Sequence, residues 1–104
     1  MKIKTNELVD VPLDWAVAKS LGLASQTSVL LTRTDEYMPS LKWAQGGPII
    51  EHNEISINRV VGGWMATSDH DMRQFIASTP LRAAMRCYVA SKLGDEVDVP
   101  EELL

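Results

Sequence analysis

Cysteine is nearly absent from this chain: Cys87 is the single thiol in 104 residues. It cannot close an internal disulfide, so the fold needs no oxidising compartment. Positive charge is also scarce. Ten Lys and Arg stand against 14 Asp and Glu, a net charge of −4. A chain without a basic face is not built to track a phosphate backbone, which excludes long nucleic acid as a partner. One small anion, held by a local cluster of donors, stays within reach. No apolar stretch approaches the length of a membrane span, and the opening MKIKTNELVD lacks the apolar run of a signal peptide. These absences predict a soluble, cytosolic protein with no membrane partner. There are no internal repeats, low-complexity tracts or linkers, so residues 1–104 read as one domain.

What is present suffices for a fold. Apolar residues make up 45% of the chain, and a domain of this size buries about two-thirds of its unfolded surface around one modest core. The clearest element lies in STPLRAAMRCYVASKLG, residues 78–94. The Thr79 hydroxyl suits an N-cap, Pro80 a first helical position where no N–H is needed, and Gly94 a stop. Leu81, Met85, Tyr88, Val89 and Leu93 recur at three- and four-residue steps and predict one apolar stripe. Ala83, Ala84, Cys87 and Ala90 widen it with small side chains. A shorter helix is expected in VPLDWAVAKSLG, with Pro12 at its start, Gly22 at its end, and Leu13, Ala16, Val17 and Leu21 on one face. Trp15 lies off that stripe. TNEL before it suits a capped turn.

Between these helices the pattern changes. TSVLLTR, rich in β-branched and aliphatic residues, reads as a strand. PII after the first glycine pair reads as another, and EISINRV alternates as a third. GGWMATS looks like a hairpin turn and its returning strand. DHDMRQFIAS reads as a further short strand or as the approach to the helix. In the acidic tail GDEVDVPEELL, Pro100 could begin one last turn that docks Leu103 and Leu104. The expected fold is α+β, a small antiparallel sheet of three or four strands with two helices on one face. A short sheet has open edges, and the long helix carries both a bulky stripe and a small-residue flank. Together these predict a symmetric homodimer.

Chemistry-bearing groups are few. Arg86 beside Cys87 would favour a thiolate, but a helical cysteine among alanines is a core residue. His52 in EHNE and His70 in DHD offer imidazole and carboxylate to a divalent ion. Neither has the i, i+4 spacing of a helical metal motif, and both segments read as solvated loops. The glycine pairs 46–47 and 62–63 are too short for a Walker loop or a dinucleotide fingerprint; the second reads as a turn needing positive φ. No catalytic residue, metal or cofactor is expected, and a metal-dependent hydrolase is only a minor alternative.

The segments LDWAVAK, PSLKWAQGGPIIE and TPLRAAMRCYVASKLGDEVDVPEEL follow one another in an order that resembles the bacteriophage NinX-like family, small proteins of lambdoid phages and prophages. The likeness covers most of the chain. It implies an accessory protein made inside an infected bacterium, in the host cytoplasm, and brings no catalytic residue with it.

The stretch YMPSLKWAQGGPII is the candidate site. Tyr37, Trp43 and, further on, Trp64 are rings that could hold a planar group by stacking. Ser40 and Gln45 could read its polar edge, Gly46 and Gly47 would allow close backbone approach, and Arg82 could neutralise a phosphate. The expected function is non-enzymatic binding of a small nucleotide-like ligand, with sequestration of a host signal molecule as one use. The alternative is a protein-interaction module that covers a host or phage protein with its exposed aromatics. The bland reading is that Trp43 plugs the core and GGP ends a loop and starts a strand. If the segment is a site, Gln45→Leu should spare folding and Gly47→Val should harm it.

Overall fold

A computed structural model describes residues 1–34, 36–69 and 71–104. The chain runs β1 (Lys2–Lys4), a 3-10 turn (Thr5–Glu7), α1 (Asp10–Ser20), α2 (Ser25–Arg33), α3 (Trp43–His52), β2 (Ile55–Val60), β3 (Gly63–Ser68), β4 (Asp71–Ala77), α4 (Pro80–Leu93), β5 (Glu96–Asp98) and a last 3-10 turn (Glu101–Leu103). The expected α+β architecture is present. Strands β2, β3 and β4 form an antiparallel sheet in that order. The rows Ile57, Ala66, Phe75 and Arg59, Trp64, Ala77 align across it. Ile55, Ala66, Phe75 and Ala77 are buried, while Ser56, Asn58, Gln74 and Ile76 on the opposite parity are exposed. Alternation has therefore sorted one face to the core and one to solvent. The turn at residues 61–62 needs the second glycine pair: Gly62 has φ 92° and Gly63 φ 147°.

Helix α4 packs on all three strands and on α1 and α3. The Thr79 side chain accepts from the Arg82 amide at 3.2 Å, Pro80 opens the helix and Gly94 ends it. Leu81, Met85, Tyr88 and Val89 are buried, and so are Ala83, Ala84, Cys87 and Ala90. Both the bulky stripe and the small-residue flank are thus covered within one chain. The flank on which the dimer expectation rested is not available to a second subunit. Arg86, also buried, donates to the carbonyls of Leu8 at 2.8 Å and Ile76 at 2.9 Å, so it ties the N-terminal segment to β4. Burial lowers the pKa of its guanidinium, and the charge of Arg82 adds to the effect.

Several expectations are corrected. Residues 27–33 are not a strand: they belong to helix α2. Its buried residues include Ser28 and Thr32, while Leu30 is 64% exposed. Their hydroxyls donate to carbonyls one turn back, Ser28 to Ala24 at 3.0 Å and Thr32 to Ser28 at 2.8 Å. A hydroxyl satisfied by its own helix can be buried without a partner elsewhere, and that inverts the apolar pattern. PII is not a strand either, since Pro48, Ile49 and Ile50 lie inside α3. Leu21, expected on the apolar face, is the C-cap of α1 and is 49% exposed, whereas Trp15, off that stripe, is buried at 1%. The two-stranded antiparallel sheet of β1 and β5 was not anticipated. In the tail, Leu103 docks and Leu104 is exposed.

Candidate functional site

Residues 36–42 form a corner between α2 and α3. Its backbone folds on itself, with the amides of Leu41 and Lys42 donating to the Met38 carbonyl at 3.0 and 2.8 Å. The amides of Glu36 and Tyr37 reach back to the Leu31 carbonyl at the end of α2. Gln45, in the first turn of α3, closes the corner with its side chain. Its Oε1 accepts from the Met38 amide at 2.6 Å, and its Nε2 donates to the Glu36 carbonyl at 2.9 Å. Both ends of the amide that was expected to read a ligand are spent on the chain's own backbone.

The glycine pair sits within α3 and divides its roles. Gly46 is buried against Pro39 and Leu81: an added Cβ would lie 2.4 Å from the Pro39 carbonyl oxygen and 2.7 Å from a Leu81 methyl. At Gly47 an added Cβ meets nothing within 4 Å. Close approach is therefore required at Gly46, not at Gly47, and the expected harm from Gly47→Val through close approach has no structural basis.

Under the corner lies a carboxyl that the candidate set omitted. Asp14, on α1, is 1% exposed and accepts from the Ser40 amide at 2.9 Å. The Ser40 hydroxyl is buried close to it without reaching hydrogen-bonding geometry. Burial pushes the Asp14 pKa from 3.8 up to about 6, outweighing the pull of Ser40. Half-buried Tyr37 is pushed up to about 12 by burial first and then by the charge of Asp14, so it stays protonated. Arg82 approaches from α4, but its guanidinium is engaged with Asp10 at 2.8 Å and the Ser78 hydroxyl at 3.1 Å. Its Nε is buried without a partner. Asp14 left a signal in the sequence: LDWAVA places a carboxylate among residues that are all buried.

Of the candidate residues, Tyr37, Ser40, Gln45, Gly46 and Arg82 gather at or beneath this corner. Trp43, the first residue of α3, is 56% exposed, and Leu41 two residues before it is 50% exposed. Trp64 belongs to the sheet, opposite Arg59 and Ala77, with the Arg59 guanidinium 5.6 Å from its ring centre. Cys87 is buried in α4. His52 is exposed at the end of α3, where it lines a hollow with Pro48 and Glu51. His70 lies outside the described residues. Among the described residues no three His, Cys, Asp or Glu come together as a metal site, and no helix is long and apolar enough to cross a membrane.

Fold and site together define a small α+β domain whose corner at residues 36–42 is hydrogen-bonded by the chain's own polar groups. The chain belongs to the NinX family of bacteriophage P22, whose family profile matches residues 4–92. It is accordingly a phage accessory protein. No curated protein matches it.

Proposed function

We propose that this phage accessory protein acts as a protein-interaction module rather than an enzyme, covering a host or phage protein with the corner that carries Leu41 and Trp43, in the host bacterial cytoplasm. The observation that carries the reading is the division of labour at residues 36–45. Gln45 and Gly46 are consumed in bracing the corner, while the Trp43 ring is left in solvent at the start of a helix. An exposed aromatic carried on a braced backbone has less backbone entropy to lose on docking, which suits an interface hot spot.

The small nucleotide-like ligand, sequestered as a host signal, is the second reading. Its support is the buried and unpartnered Arg82 Nε and Ser40 hydroxyl. Two nearby carboxylates, Asp10 and Asp14, count against a phosphate there.

One pair of measurements separates the two. A partner captured from infected-cell lysate is purified and titrated against the wild-type chain and Trp43→Ala. Loss of affinity by tenfold or more in the variant, with unchanged melting temperature, is expected. Equal affinity, together with a nucleotide that raises the melting temperature, would favour the ligand instead.

A further inference from the structure

Pro48 frees a backbone acceptor on the outward side of α3. It lies inside the helix, and an α-helical carbonyl points along the axis to the amide four residues on. The Ala44 carbonyl meets a proline ring there, so it lacks its regular helical donor. Ala44 is exposed, and the acceptor can turn outward. Ala44, Gly47, Pro48 and Glu51 share one face of the helix, at i, i+3, i+4 and i+7, and Gly47 puts no side chain over it. On this face Pro48, Glu51 and His52 line a hollow of about 420 Å³. Among the described residues Glu51 makes no ion pair. The hollow also lies at the C-terminal end of α3, where the helix dipole is negative. Acceptor, carboxylate and dipole all favour a cation, and the Pro48 ring supplies an apolar wall.

We propose that the hollow over Pro48 is a pocket for a guanidinium, an arginine side chain of the partner that docks on the Trp43 end of the same helix. As a statement about the partner it rests on the docking reading above; the pocket itself does not. A guanidinium suits the site better than an ammonium. It is weakly hydrated, and its planar fork carries donors in more than one direction. One edge pairs with the Glu51 carboxylate, another N–H donates to the Ala44 carbonyl, and the methylene stem lies along the Pro48 ring. The net charge of −4 steers a basic partner towards the chain. Pro48 is then a positioning residue: it weakens α3 and in exchange keeps the Ala44 carbonyl available.

The test is an NMR titration of the full chain with Nα-acetyl-arginine amide at millimolar concentrations, with the citrulline analogue as the neutral control of the same shape. The Ala44 carbonyl-carbon and Glu51 carboxyl-carbon resonances should shift and saturate together with the arginine probe and stay still with citrulline. Glu51→Gln should weaken the probe by about threefold or more. Pro48→Ala restores the amide that bonds to Ala44. It should weaken the probe similarly while raising the melting temperature, a combination that a purely structural proline would not give. Absence of saturable shifts at Ala44 and Glu51, equal shifts at the exposed Glu101 and Glu102, or undiminished binding in Pro48→Ala overturns the pocket. The docking reading fails separately, when Trp43→Ala leaves partner affinity unchanged while the arginine probe still binds.

Discussion

Helices α3 and α4 each hold one proline and pack against each other, yet they are specified in opposite ways. In α4 the proline is the first residue, a threonine caps it and a glycine ends it. In α3 the proline is the sixth residue, two glycines precede it and no side chain caps its start. Pro48 removes the amide that would bond to Ala44 and crowds that carbonyl, a cost of about 3 kcal/mol in a helix interior. Ala44 is exposed, so its carbonyl can turn to water. The comparison teaches that α4 is written into its own sequence, whereas α3 is imposed by its surroundings through Gln45, Gly46 and buried Ile49.

Substitutions can break that contrast. The largest effect is expected in α4. Met85 is fully buried, and Met85→Ala should cost about 2–5 kcal/mol by removing contacts and leaving a cavity. Urea unfolding would measure it, and a loss under about half a kcal/mol would show that Met85 contributes little to the packing of α4. Next comes Gly46→Ala, a small change at an exact fit. The Leu81 methyl can swing aside, but the Pro39 backbone must shift, at a cost of about 1–3 kcal/mol. An unchanged denaturation midpoint would mean that the corner does not press on α3.

Gln45→Leu should follow, at about 1–2 kcal/mol. The Met38 amide, partly buried, loses its acceptor, while the Glu36 carbonyl is exposed enough to find water. The sequence alone suggested that this variant would fold undisturbed, because it could not show that the amide was already occupied. Proteolysis near residues 36–42 should quicken in the variant. Equal cleavage rates would return Gln45 to the free surface.

Legibility in the sequence divides along the same line. Where a segment's apolar period, caps and stop agree, as in residues 79–94 and in the hairpin of β2 and β3, the fold could be read directly. Where tertiary contacts override local preference, it could not. The Val and Thr of α2 argue for a strand, and only the back-bonded hydroxyls of Ser28 and Thr32 explain how that segment buries as a helix. The candidate site was legible as a location but not as a set of roles. Its aromatic and glycine content singled out residues 37–50. That Gln45 braces, Gly46 wedges and Trp43 is left outside depends on distances no pattern encodes. The role of Asp14 is not legible either, since the apolar period of α1 shows a helix but not that the helix buries a charge.

The smallest effect is expected next door to Gly46 and carries the opposite sign. Gly47 lies within α3 with helical neighbours on both sides, outside the left-handed region, and an added Cβ meets open space. Gly47→Ala leaves the folded helix unstrained and removes conformations from the unfolded chain. It should therefore stabilise by about 0.5–1 kcal/mol. Two adjacent glycines would then differ in sign under the same substitution, which neither helix propensity nor composition can produce. Thermal melts of the two single variants and the double decide the matter. A destabilised Gly47→Ala would mean that α3 is not helical at this position, and that the corner is a turn held by glycine rather than a helix held by its neighbours.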